Sequence, residues 1–156
     1  MKKRKKNKDI KLCLVSCSGG HYEQLKQLAP LLEKYSGFWV TEKTDFKSDA
    51  DYYLPVTGSN EKTVLFKLIW MQLLAAKIWI REKPDFVITT GTLISVPFAI
   101  LARLTGKKYI YIETYARVKD GSRAGKMAYK FADFFIYQWE DLMKIYPQGK
   151  FGGSIY

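Results

Sequence analysis

The chain has 156 residues, 47% apolar and 15% aromatic, which suits one compact domain with a sizeable core and excludes a mainly disordered chain. Its formal charge is +11, and six cations (Lys2, Lys3, Arg4, Lys5, Lys6 and Lys8) fall in the first eight residues. The remainder is basic too, so a polyanionic partner is expected: nucleic acid, an anionic membrane surface or a phosphorylated substrate.

Residues 1–9 read as a disordered polybasic tail. Ile10–Ser16 then predicts a buried strand, too short and too broken by Lys11 to be a signal-peptide core. Cys13 and Cys17 lie on or beside it. Strand residues four apart sit about 13 Å from each other, beyond disulfide reach. Both are expected as small buried hydrophobes of a reducing compartment. His21 is the only histidine, so no zinc site is expected.

Ser18-Gly19-Gly20-His21 predicts a tight turn. Tyr22–Tyr35 predicts a helix with Leu25, Leu28, Leu31 and Leu32 on one face, ended by Gly37. Phe38–Thr41 and Asp51–Val56 predict the second and third strands. Asn60 reads as the cap of a long apolar helix from Val64 to Ile80, stopped by Pro84. On that helix Lys67, Trp70, Leu74, Lys77 and Arg81 fall on one stripe at about 100° per residue. Leu65, Ile69, Leu73, Ala76 and Ile80 are left to face the sheet. A stripe of cations around a tryptophan suits a lipid interface, a protein partner or a core helix with snorkelling lysines. The membrane reading is preferred, because the basic tail would add attraction to the same anionic surface.

Asp85–Thr90 predicts a fourth strand, and Gly91 turns the chain into a helix to about Leu104 that stops at Gly106. Lys108–Ile112, Phe134–Tyr137 and Phe151–Tyr156 predict three further strands, with a helix over Ser122–Phe131. Strand and helix alternate throughout, which predicts a doubly wound parallel α/β domain over residues 10–156. No stretch approaches the roughly 20 apolar residues of a membrane span.

Ligands of such sheets bind beyond the carboxyl ends of the strands. At those points stand Ser18, Gly19, Gly20 and His21; Glu42; Thr89, Thr90, Gly91 and Thr92; and Glu113 through Arg117. The glycine turn can bring backbone N–H groups close to a phosphate, or it can be an ordinary turn. His21 can bind phosphate or act as a base. Glu42 has the spacing of a ribose-binding acid, but the turn lacks the G-x-G-x-x-G arrangement, so a nicotinamide cofactor is not expected. Gly91 and Thr92 offer a second set of donors or a simple strand-to-helix turn. Glu113 can hold or deprotonate a sugar hydroxyl, and Arg117 can pair with phosphate or with Glu113. No helix-turn-helix, zinc finger or RNA-binding aromatic motif accompanies the basic tail, which leaves nucleic-acid binding as a minor alternative.

Three segments, Ser16-Cys17-Ser18-Gly19-Gly20-His21, Tyr111–Val118 and Ala132–Trp139, occur in an order and spacing that resemble one group of proteins. Tyr146-Pro147 and Phe151-Gly152-Gly153 agree with it. They are the bacterial capsule and exopolysaccharide glycosyltransferase subunits related to the membrane-anchoring subunit of the eukaryotic two-part UDP-N-acetylglucosamine transferase. The resemblance covers nearly all of residues 10–156. It implies a Rossmann-like domain equivalent to the N-terminal, acceptor half of a GT-B glycosyltransferase, active only with a separate UDP-sugar-binding catalytic subunit. The implied acceptor is a polyprenyl-diphosphate-linked sugar at the inner face of the cell membrane. Ser18, Gly19, Gly20, His21, Gly91, Thr92 and Arg117 would hold its diphosphate. His21 and Glu113 match acceptor-side positions where either could assist deprotonation, with Glu113 the weak preference. Neither metal nor organic cofactor is implied. The basic start stands where eukaryotic members carry a hydrophobic anchor, so Lys67, Trp70, Leu74, Lys77 and Arg81 become the expected membrane contact. A self-sufficient small nucleotide-sugar transferase is the alternative.

Overall fold

The computed structural model describes residues 7–45, 48–56 and 61–156. Among them seven parallel strands form one sheet: β1 (Asn7–Val15), β2 (Tyr35–Glu42), β3 (Tyr52–Leu54), β4 (Phe86–Thr89), β5 (Lys108–Ile112), β6 (Phe134–Tyr137) and β7 (Lys150–Phe151). Across the sheet they run β3-β2-β1-β4-β5-β6-β7. The helices are α1 (Gly20–Lys26), α2 (Leu31–Lys34), α3 (Glu61–Glu82), α4 (Val96–Leu104) and α5 (Arg123–Ala128), with short 3-10 turns at Leu93–Ser95 and Glu140–Lys144. The doubly wound α/β architecture is the expected one. Strand order reverses between β1 and β4, which creates a crevice above their carboxyl ends.

Alternating side chains divide the core into two layers. Cys13, Val15, Val40, Val87, Tyr111 and Phe135 face α3, α4 and α5. Leu12, Leu14, Ile88 and Ile112 face Leu25 of α1 on the other side. The thiols of Cys13 and Cys17 are both free, and burial pushes both upward in pKa.

Several boundaries differ from the expected ones. β1 starts at Asn7, so residues 7–9 belong to the sheet rather than to the tail. The single helix expected over 22–35 is two, α1 and α2, separated around Pro30, which has no N–H to continue α1 and disfavours helix just before it. Gly37 ends no helix: it lies inside β2, where a Cβ would come 2.5 Å from Leu32 Cδ2 and 2.8 Å from the Leu12 carbonyl oxygen. Close packing of α2 on the sheet demands glycine there. Gly106 does follow α4 with a left-handed φ of 68°. β7 is short, and residues 152–156 form no strand. The cations Lys2–Lys6 and the expected Asn60 cap lie outside the described residues.

The largest correction concerns α3. Met71, Ala75, Ile78 and Trp79 are buried against the sheet, with Leu74 packed beside them. Ile69, Leu73 and Ile80, expected inside, are exposed at 54%, 60% and 71%, together with Phe66 and Trp70. The helix is apolar nearly all round, so periodicity alone leaves its phase open. No helix among the described residues is long and apolar enough to cross a membrane.

Candidate functional site

The crevice is built where the β1 and β4 loops meet. After β1 the chain turns through Gly19, whose φ of 82° is natural only to glycine, and enters α1 at Gly20. A Cβ at Gly20 would meet nothing within 4 Å, and its φ is not left-handed. Neither packing nor backbone therefore requires glycine at position 20; a bare backbone facing open space is what it provides.

Hydrogen bonds lace this turn to the β4 loop. The backbone N–H of Cys17 donates to Thr92 Oγ1 at 3.2 Å. Thr90 Oγ1 donates to the carbonyl of His21 at 2.7 Å. His21 Nδ1 lies 2.9 Å from the carbonyl oxygen of Thr90. A carbonyl can only accept, so Nδ1 carries a proton, and in the neutral ring Nε2 is the nitrogen with the lone pair. Gly91 has φ 117°, and a Cβ there would sit 3.0 Å from the Tyr111 hydroxyl and 3.6 Å from His21 Cε1. Thr92 adopts φ 80°, ψ 164°, a region nearly reserved for glycine. Its carbonyl accepts from Ser95 N and Oγ, and its hydroxyl from Cys17, so the strained conformation is held from both sides.

Glu113 sits at the end of β5, fully buried. Oε1 accepts from Thr114 N (3.0 Å) and Ser122 Oγ (2.7 Å); Oε2 accepts from Ser122 N (3.1 Å) and the Tyr146 hydroxyl (2.6 Å). Four donors satisfy a carboxylate. Gly125 is required beside it, because a Cβ there would lie 2.0 Å from Oε2. Ser122 also caps α5 by accepting from Gly125 N at 2.8 Å. The carboxylate thus fixes the start of α5 and the loop from 114 to 122. Burial, and then donation to Glu113, push the Tyr146 phenol well up in pKa, so it stays a donor.

Arg117 pairs with Asp120 at 3.0 Å on the surface, not with Glu113. The β5 loop is nevertheless drawn to the crevice, since Tyr115 N donates to Gln24 Oε1 of α1 at 3.3 Å and its carbonyl accepts from Trp139 Nε1 at 2.7 Å. The Tyr115 ring lies 4.8 Å from that of Trp139 and 5.3 Å from that of Tyr156. Ser18, Gly19, Gly20, His21, Gly91 and Thr92 therefore belong to one crevice, with the Glu113–Arg117 loop at its edge. Glu42 closes β2, one strand away, and pairs by backbone with Leu54 of β3.

Sequence alone assigns no role to Gln24 or Ser122; Thr90 falls in the expected β4 loop, and Gln138 and Tyr146 fall in the family-like segments without an assigned role. Gln138 directly follows the apolar run Phe134–Tyr137, and Ser122 stands three residues before Gly125; Gln24, among Glu23, Lys26 and Gln27, carries no such signal. Among the described residues no cluster of three or more His, Cys, Asp or Glu side chains could hold a metal ion.

Comparison with known proteins sets this crevice in a family. The family model "Oligosaccharide biosynthesis protein Alg14 like" matches residues 56–155. A human UDP-N-acetylglucosamine transferase subunit ALG14 is 30% identical over 94% of this chain and 83% of its own length. Its Candida albicans counterpart is 28% identical over 99% of this chain and 82% of its own. Among solved structures, Acinetobacter baumannii MurG superposes with a TM-score of 0.65 at 16% identity, covering 82% of this chain and 40% of that one. Staphylococcus aureus MnaA, solved with UDP, gives 0.68 at 14% identity over 92% of this chain. This chain spans about two fifths of both solved proteins, which share its Rossmann-like fold. The chain belongs to the Alg14 family of oligosaccharide-biosynthesis proteins.

Proposed function

We propose that this chain is the acceptor-binding subunit of a two-component UDP-sugar glycosyltransferase. A separate catalytic subunit supplies the donor pocket. The acceptor is a polyprenyl-diphosphate-linked sugar, and the setting is capsular or exopolysaccharide assembly at the inner face of the cell membrane. Family membership supports the subunit reading, since the human and Candida relatives are named as subunits of a UDP-N-acetylglucosamine transferase.

The observation that carries the proposal is the Nδ1-bonded His21 ring beside an open glycine turn. Held by the Thr90 carbonyl, the ring offers Nε2 as general base. The acceptor hydroxyl loses its proton to Nε2 as its oxygen bonds to the anomeric carbon of the donor. The bond from that carbon to the UDP oxygen breaks, and UDP departs with the electron pair. The backbone of Gly19 and Gly20, with Gly91 and Thr92 opposite, receives the acceptor diphosphate. Arg117 adds a cation from the edge, because an exposed pair with Asp120 holds it only weakly. Glu113, with its oxygens already occupied, is a positioning residue for the β5 loop rather than the base.

Membrane contact is assigned to α3. Phe66, Ile69, Trp70, Leu73 and Ile80 form an exposed apolar stripe that Lys77 interrupts, with Arg81 and Lys67 along one side. Trp70 stays in the expected contact, whereas Leu74, which packs on the core, gives way to Leu73. Aromatics at headgroup depth with flanking cations suit an anionic bilayer.

The test is an assay of the purified chain with UDP-N-acetylglucosamine and a polyprenyl-diphosphate-linked sugar, with and without its co-expressed partner. Turnover only with both chains present is the expected result. Turnover by the lone chain would establish a self-sufficient transferase instead.

A further inference from the structure

On the sheet face that carries α3, α4 and α5, the last two leave a groove of about 870 Å³ between them, within the usual size range of ligand pockets. Val96, Ala99 and Ile100 form one wall, Met127 and Phe131 the other, and the rings of Tyr109 and Tyr111 the floor. Ile100, Met127 and Phe131 are each nearly half exposed, so the walls show apolar surface to whatever enters.

The two ends differ in chemistry. At the lower end Lys107 and Lys108 are each held by a carboxylate at 2.7 Å, Asp85 and Asp133 respectively, which offsets their charge. The exposed Arg103 and Lys130 also line the groove. At the upper end the groove reaches Thr92, Leu93 and Tyr111. The Tyr111 hydroxyl and the His21 ring both lie within 4 Å of the point where a Gly91 Cβ would stand. The upper end of the apolar groove therefore shares Thr92 with the crevice assigned to the acceptor diphosphate and adjoins it through Tyr111.

An occupant that satisfies both regions has a polar, anionic head and an apolar body continuing from it. We propose that the groove between α4 and α5 binds the first isoprene units of the acceptor's polyprenyl chain, while its diphosphate lies at the glycine turn. This rests on the acceptor reading above. From the groove the chain passes over Ile100 and the exposed Leu104 of α4 toward the neighbouring stripe of α3, which packs on α4. One ligand then connects the membrane contact to the reacting hydroxyl.

The experiment is calorimetry on the full chain with inorganic pyrophosphate, isopentenyl diphosphate, farnesyl diphosphate and farnesol. It is repeated on Ala99→Trp, which fills the groove, and on Phe131→Glu, which charges its exposed rim. Farnesyl diphosphate should bind about tenfold tighter or more than isopentenyl diphosphate, because its extra carbons leave water. Each variant should erase that gain and leave pyrophosphate binding unchanged; Phe131→Glu, at an exposed position, guards against misfolding of the first. Equal affinity for all three diphosphates would overturn the groove and leave the acceptor reading standing. Binding of farnesol alone, sensitive to both variants, would keep the groove and sink the diphosphate site. If instead the variants dissociate the two-chain complex without changing farnesyl diphosphate affinity, the groove is a seat for a protein helix and the proposal fails.

Discussion

The hydroxyl of Tyr146 donates to Glu113 Oε2 at 2.6 Å, joining residues 33 positions apart in the chain. That bond completes the carboxylate's set of four donors, which ties the β5 loop to the start of α5. Glu113→Gln would present an amide N–H₂ to donors on one side. It should cost about 1–3 kcal/mol, read as a lower urea midpoint. If the variant is as stable as the parent, the network is not what holds the β5 loop.

His21 and Glu113 are separated by kinetics as well. His21→Gln should lower kcat of the proposed two-chain enzyme by about 100- to 10,000-fold with little change in KM. Glu113→Gln should lower activity far less, through loop position and mainly in KM. The reverse pattern assigns the base to Glu113.

Thr92 isolates the strain in the β4 loop. Thr92→Ala keeps the unfavourable backbone and loses the acceptor for Cys17 N, so it should destabilise by about 1 kcal/mol. Thr92→Gly loses the same bond but relaxes φ and ψ, and should be about 1 kcal/mol or more the stabler of the two. Equal stabilities in chemical denaturation would mean that no strain is stored there.

The exposed and buried phases of α3 make opposite predictions for adjacent leucines. Trp70→Glu with Leu73→Glu should leave stability nearly unchanged and release the protein from anionic vesicles in a flotation assay. Leu74→Ala should cost about 1–2 kcal/mol, less than a full core deletion because Leu74 is only half buried. Persistent flotation of the double variant would place the membrane contact elsewhere.

The carboxyl of Asp85 is held below its ordinary pKa by the Lys107 ammonium, with help from the Lys11 N–H at 3.0 Å. A depressed folded-state pKa gives stability that is complete above the unfolded value of about 3.9 and fades as pH falls through the lower folded value. Asp85→Asn should be less stable at pH 7 by about 1 kcal/mol, kept small by solvent screening of a partly exposed pair. The difference should narrow as pH is lowered below about 3.9, as measured by thermal melts at about pH 7 and across the acid range.

The alternation of strands and helices was legible because buried parallel strands such as Phe86–Thr89 are continuous apolar runs. The turns around Gly19 and Gly91 were legible because both need left-handed backbone. The phase of α3 was not, since Ile69 and Leu73 are as apolar as Met71 and Ala75, and only tertiary packing chooses between them. Gly37 misled for a related reason: its cause is contact with Leu32 and Leu12, which no local signal carries. The occupancy of Glu113 was illegible too, as its partners Ser122 and Tyr146 come from separate elements of the fold.

Gln138 donates to the Glu113 carbonyl at 2.9 Å and accepts from Ile155 N at 2.9 Å, while Tyr156 rests edge-on against Tyr115. A single side-chain amide thus fastens residues near 155 to the same strand end that shapes the crevice. Any force drawing that final segment off the sheet must unfasten the far side of the crevice along with it.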